Sequence, residues 1–257
     1  MSRPGNVVHA EDRRSGGDVE SQTARAFFGL REILLRGEFA RGERISELPL
    51  VARLGTSRTP IRLALERLAH MGLLDVVSTG GFTVREFTLT EVRDAIEVRG
   101  VLEGTVARLA AERLSDEQEL EPVRRYAGGM ENLQRLTIDS FPEYMDLNEG
   151  FHSALVDLAK SAMLRRSLEQ VRVLPFASPS AMVFPTSVLP RSNEIMAIAN
   201  EHHRALIEAI AARQGTRAEG LGREHAFIAR RALELALSDS NALSRVPGGS
   251  LINMALR

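Results

Sequence analysis

Residues 56–68 read TSRTPIRLALERL, and few conformations suit both the proline and the apolar rhythm after it. Ile61, Ala64, Leu65 and Leu68 recur at i, i+3, i+4 and i+7, so they share one face of a helix. Thr59 suits the N-cap and Pro60 the first helical position, where a missing N–H removes nothing. Arg58 and Arg62 then stand at the helix N-terminus, off the apolar face. That end of a helix already favours anions, and two guanidinium groups strengthen the preference.

The flanking segments extend this reading. Residues 21–38 predict a helix with Phe27, Leu30, Ile33, Leu34 and Leu35 apolar, and Gly42 marks a turn. Ser46 can cap a short helix through Leu54, with Pro49 in its first turn and Gly55 at its end. LLDVV and GFTVREF flank Ser78-Thr79-Gly80-Gly81, a hairpin turn. Helix, short helix, turn, helix and two-stranded wing is the order of a winged helix-turn-helix over residues 21–86. Within residues 21–85 ten Arg stand against six acidic residues, +4, which leaves −5 on the rest of a chain of net charge −1. A basic module on an acidic body points to a polyanion, double-stranded DNA, met by the first part alone. The second helix of such a motif can enter the major groove, where Arg reaches phosphate or guanine O6 and N7.

From Thr88 the pattern is helical, so the fold class is mainly α. Thr88 and Glu91 have the spacing of a capping box. Helices are predicted over 91–113, 117–136, 142–159, 161–173, 192–213 and 216–237, making a helical body over 87–237. PFASPSAMVFPTSVLP, residues 175–190, holds four prolines and predicts an irregular loop. Residues 1–20 carry no apolar signal core and are expected to be a flexible tail, and residues 238–257 a loose one. The absence of cysteine excludes disulfides and thiolate metal sites and fits the cytoplasm, the expected location. No apolar run approaches the roughly 20 residues that span a membrane, so no membrane partner is expected.

Three histidines fall at telling places. Asn148 and His152 are four apart and share a helix face. His203 and His225 are equally distant from Gln214; if the chain turns at Gln214-Gly215, an antiparallel helix pair sets them opposite each other. Three imidazoles and an amide oxygen converging in a bundle can hold a divalent metal, Zn, Ni or Mn, though partly exposed histidines bonded to neighbours fit the same spacing.

ISELPLVARLGTSRTPIRLALERLAHMGLL followed by GGFTV resembles the DNA-binding half of GntR-family transcription regulators. DAIEVRGVLEGTVARLAAERL, NEGFHSAL, HRALIEAI and REHAFI resemble the helical FCD domain of the FadR subfamily. Together they cover about residues 21–237. The resemblance implies DNA contacts at Ser57, Arg58, Thr59 and Arg62 and a wing passing through Gly81. It implies a metal on Asn148, His152, His203 and His225. It also implies a small carboxylate effector, with Arg99 facing it; Phe151, Phe176 and Phe184 are the rings of this chain that could stack on an aromatic one. It departs at Leu48, where the family usually has Arg, and at Gly80, where it usually has a basic residue. EVRGVLEG and PFASPSAM are most similar to regulators of vanillate-type aromatic-acid catabolism. The reading is a non-enzymatic repressor, homodimeric on a palindromic operator and released by the carboxylate. Its alternatives are a metal-free effector binder, an activator, or a metalloenzyme fused to a DNA-binding domain.

Overall fold

The apolar face read from residues 56–68 is the centre of the amino-terminal core: Ile61, Ala64, Leu65 and Leu68 are completely buried. In this computed structural model the described residues are 12–174, 176–180, 183–184, 187, 190–238, 243–245 and 247–254. They fall into two units, Met1–Arg85 and Glu86–Arg257.

The first unit contains α1 (Asp12–Leu35), β1 (Arg44–Ile45), α2 (Glu47–Leu54), α3 (Arg58–His70), β2 (Leu74–Val76) and β3 (Phe82–Val84). The strands form an antiparallel sheet of order β1-β3-β2. Phe27, Leu30, Ile33 and Leu34 of α1 are buried, as are Leu50 of α2 and Val84 of β3. Gly55 ends α2 in the left-handed region at φ 60°, where a side chain is penalised. Gly80 and Gly81 turn the wing at φ 91° and 87°. This is the winged helix-turn-helix predicted.

Two boundaries are corrected. The N-cap of α3 is Ser57 rather than Thr59, so Pro60 is its third residue. An N-cap side chain usually accepts from the second or third N–H of the helix. Pro60 has none, and Ser57 makes no side-chain cap bond. Ser46 and Pro49 repeat the arrangement in α2. Secondly, α1 begins at Asp12, so residues 12–20, expected in a flexible tail, are helical; residues 1–11 lie outside the described residues. Extending a formed helix adds one hydrogen bond per residue fixed, which local composition does not reveal.

The second unit is a helical bundle. Its elements are β4 (Phe87–Thr88), α4 (Leu89–Arg113), a 3-10 turn (Glu117–Leu120), α5 (Glu121–Asn132), α6 (Phe141–Leu158), α7 (Ala162–Arg172), α8 (Ser192–Ala211), α9 (Gly215–Ser238) and β5 (Ile252–Asn253). The Thr88–Glu91 capping box is formed in both directions. Inside residues 238–257 the expectation of a loose tail fails: Leu251 and Ile252 are buried, and β5 pairs in parallel with β4. Two adjacent apolar residues suffice to dock this short segment on the strand that opens the unit.

Helices α4 and α9 approach most closely through glycine. A Cβ on Gly104 would lie 2.6 Å from Arg223 Cγ and 2.8 Å from the Glu219 carbonyl oxygen. One on Gly222 would lie 3.0 Å from both the Glu103 carbonyl oxygen and Gly104 Cα. Backbone cannot yield as a side-chain tip can, so Gly104→Ala is expected to destabilise the protein by about 1–3 kcal/mol. Exposed Gly220 on α9 has nothing within 4 Å of a built Cβ. There the better helix propensity of alanine predicts a gain of about 0.5–1 kcal/mol. Chemical denaturation of the two variants checks both signs.

Candidate metal centre and nucleic-acid interface

The N-terminus of α3 presents Ser57, Arg58 and Thr59 to solvent, while Pro60 and Ile61 turn into the core. Arg62, one turn on, is exposed as well and pairs with Glu66 at 3.3 Å. An exposed i,i+4 pair of this kind contributes a few tenths of a kcal/mol and is easily exchanged for another anion. Among the described residues Arg58 has no ion-pair partner. Two guanidiniums, two hydroxyls and the unbonded N–H groups of a helix start thus share one surface.

In the helical unit, three helices contribute one cluster. Asn148 and His152 lie on one buried face of α6. His203 comes from α8 and His225 from α9, with the turn between these helices at residues 212–214. His203 Nε2 is 3.2 Å from His225 Nε2, which is 3.3 Å from His152 Nε2. Adjacent His202 is not one of the three histidines whose ring nitrogens converge. Burial, reinforced by the neighbouring imidazoles, pushes His203 and His225 well below the usual histidine range, so both are neutral near pH 7.

The donor set fits a divalent cation. Neutral imidazoles offer lone pairs, and one ring nitrogen from each of the three histidines lies within 4.8 Å of the others. Two imidazoles sharing one ion at the ordinary ~2.0–2.1 Å and a tetrahedral angle have nitrogens about 3.3–3.4 Å apart. The His203–His225 and His225–His152 separations are close to that spacing, and all three nitrogens lie within 4.8 Å of one another. Asn148 donates its Nδ2 to Ser180 Oγ at 2.9 Å, leaving Oδ1 as its acceptor atom.

Beside the histidines opens a cavity to which Arg99, Asn148 and His225 contribute polar groups. Leu136, Tyr144, Phe184, Met196 and Ile228 make its walls largely apolar. Arg99 is 2% exposed, so it is no surface group. Its NH1 donates to the Ser178 carbonyl at 2.6 Å and its NH2 to the Ala226 carbonyl at 3.1 Å. Arg99 Nε is buried without a hydrogen-bond partner among the described residues. Phe151, expected at the effector, is placed elsewhere: it is completely buried, and its ring lies 4.1 Å from that of His203. It is not among the residues that line this cavity.

The FCD-domain family model matches residues 94–227, over half of the chain. The model of the bacterial regulatory proteins of the gntR family matches residues 22–84. The chain belongs to the GntR family. It is 35% identical over 133 residues to the Nta operon transcriptional regulator of Aminobacter aminovorans, across 52% of this chain and 61% of that one. The alignment therefore spans less than two thirds of that relative's length. To the "Probable D-xylose utilization operon transcriptional repressor" of Paenarthrobacter nicotinovorans it is 29% identical over 185 residues, covering 70% and 74% of the two chains. Among solved structures, McbR/YncC of Escherichia coli superposes with a TM-score of 0.62 at 21% identity, over 84% of this chain and 98% of that one, which shows the fold. These relatives are regulators, a non-enzymatic class. Among the described residues no helix is long and apolar enough to cross a membrane.

Two residues of this GntR-family chain escape sequence reasoning. Exposed Leu48 and the cation-free tip at Gly80 stand as the sequence indicates, but Arg44 of β1 reaches the wing and donates to the Gly80 carbonyl at 2.5 Å. The pairing of Arg44 opposite Thr83 puts it there, and no local pattern announces it. The other is Glu103. Its Oε1 lies 3.4 Å from His152 Nδ1 and 3.4 Å from Arg172, and its Oε2 lies 3.8 Å from Arg99 Nε. Burial is the largest single influence on this carboxyl and acts to raise it, but Arg99, His152 and Arg172 together hold it well below the carboxylate range.

Proposed function

We propose that the protein is a cytoplasmic DNA-binding transcription regulator, a repressor, that a small carboxylate releases from its operator. Ser57, Arg58, Thr59 and Arg62 read the major groove from the end of α3, with Gly81 carrying the wing past the backbone. As a homodimer the protein presents two such ends related by two-fold symmetry, so the operator is palindromic. Asn148, His152, His203 and His225 hold a divalent cation, Zn, Ni or Mn, which when bound supplies positive charge beside the cavity. The observation that carries the reading is the convergence of three histidine ring nitrogens next to a cavity edged by buried Arg99.

The chain's own residues define what can bind. The apolar walls, with the rings of Tyr144 and Phe184, suit the body of an aromatic acid of the vanillate type. The Arg99 guanidinium, part of the cavity lining, supplies the positive charge that a carboxylate would meet. The carboxylate must bind the DNA-free arrangement more tightly than the DNA-bound one, or nothing shifts.

The test uses an operator selected from random duplexes and fluorescence anisotropy. A panel of benzoic, hydroxybenzoic and aliphatic acids is titrated into the complex. At least one acid is expected to lower operator affinity by tenfold or more, and Arg99→Lys to raise the half-release concentration by about 5–30-fold, the worth of ~1–2 kcal/mol of lost charge-assisted bonding. Lysine retains a buried cation for Glu103. No response to any acid, or an unchanged half-release point in Arg99→Lys, contradicts the reading.

A further inference from the structure

We infer that Glu103 is the positioning residue of the metal centre, a role that rests on the proposal that the three histidines are ligands. Glu103 is the one buried carboxylate among the described residues. It sits on α4 at the closest approach of α9, where Gly222 leaves room beside its backbone. Its side chain therefore has little freedom to leave the cluster.

The chemistry comes from what each atom can do. An ionised carboxylate only accepts hydrogen bonds. His152 Nδ1 faces Glu103 Oε1 at 3.4 Å, so the contact favours a ring with a proton on Nδ1. Its Nε2 is then a bare lone pair, directed to within 3.3 Å of His225 Nε2. Glu103 thus selects for His152 the tautomer that a cation requires, before any cation arrives. Arg172 NH2 at 3.4 Å from Oε1 and Arg99 Nε at 3.8 Å from Oε2 hold the carboxylate in turn. His203 and His225 have no such help: their Nδ1 atoms are buried without hydrogen-bond partners among the described residues. The orienting duty therefore falls on a single carboxylate and is not shared among three.

Glu103 also belongs to the charge pattern around the centre. Three imidazoles and an amide are neutral ligands, and the one carboxylate placed behind them is itself faced by two guanidiniums, Arg99 and Arg172. Arg99 contacts the same carboxylate from the cavity side. The metal ligand His152 and the proposed effector-binding guanidinium are therefore held through one shared side chain.

Two measurements test this. Long-range ¹H–¹⁵N spectra of the histidine rings in the metal-free full-length protein report tautomers directly. His152 is expected as the Nδ1–H form, and an Nε2–H form overturns the inference. Zinc affinity is then measured by chelator competition for the wild type, Glu103→Gln and Glu103→Asp. Glutamine keeps the shape and an acceptor oxygen but not the charge, whereas aspartate keeps the charge but withdraws it from His152. Both are expected to bind zinc about 10–100-fold more weakly, and cobalt loaded in place of zinc is expected to show an altered visible spectrum in Glu103→Asp. Zinc bound by the wild type and within twofold as tightly by both variants removes Glu103 while leaving the histidine centre standing. No zinc in the wild type overturns the histidine centre, and this role with it. Should Glu103→Gln fail to fold, Glu103→Asp and the wild-type spectrum decide alone.

Discussion

Replacing Arg58 or Arg62 by alanine is expected to weaken operator binding by about 1–3 kcal/mol per recognition helix, the worth of an arginine that reads a base. A symmetric dimer loses the contact twice, about 2–6 kcal/mol, so each variant is expected to bind between about 30-fold and about 20,000-fold more weakly, if the half-sites act independently. Folding should be unaffected. Arg58 occupies the first position of α3 with its side chain in solvent, and the Arg62–Glu66 pair is exposed. Lysine at the two positions separates their duties. It preserves attraction to phosphate but loses the planar fork that matches guanine O6 and N7. Arg58→Lys is therefore expected to reduce discrimination between operator and random duplex more than it reduces binding to random duplex. Anisotropy titrations at matched salt check this, because salt alone moves such affinities by orders of magnitude. Wild-type binding by both alanine variants contradicts the assignment of α3.

A second large effect is expected from His203→Ala combined with His225→Ala. The wild type should carry about one divalent ion per chain, and the double variant close to none, by elemental analysis after gel filtration. Losing two of three imidazoles leaves His152 and an amide, too few donors for retention. Stability provides an independent reading. Zinc at 100 times its dissociation constant should stabilise the wild type by about 2.7 kcal/mol and leave the double variant unmoved. In a unit of this size that is a rise of roughly 5–10 °C in Tm. Equal metal in both proteins excludes these histidines as ligands.

The contrast between what the sequence discloses and what it conceals is physical. The buried face of α3 is legible because helical periodicity depends only on neighbours along the chain. So is the Thr88–Glu91 capping box. His203 and His225 are legible for a subtler reason: a turn midway between them makes antiparallel helices bring equal distances together. Glu103 is concealed because an arginine and a glutamate four residues apart read as an ordinary surface pair. Only α9, packed over the glycine-lined side of α4, makes that pair 3% and 7% exposed. Arg99 has the same history, and its bonds to the Ser178 and Ala226 carbonyls depend on chain segments far away in sequence. Phe151 misleads because adjacency to a ligand says nothing of direction: successive helical residues point about 100° apart. The docked Leu251-Ile252 pair is too short to carry any period at all.

Asn148 shows how such concealed residues alter an expectation. On its own, a neutral amide beside three imidazoles leaves a cation's charge unbalanced by its ligands. Glu103 lies buried behind His152 but is itself faced by Arg99 and Arg172, and the Asn148 amide nitrogen donates to Ser180. Asn148→Asp would add a second negative charge and lose that donor. Tighter metal binding and weaker carboxylate binding are its expected signature.

The most direct test of the coupling between centre and DNA is one anisotropy titration, run on a single preparation of the full-length protein bound to its selected operator. The best acid of the panel is added to metal-loaded protein, to protein stripped by chelator, and to stripped protein reloaded with zinc. Release by the loaded and reloaded forms is expected, with at least tenfold weaker response by the stripped one. Equal release by all three forms would contradict the coupling, placing the carboxylate in the cavity without the ion.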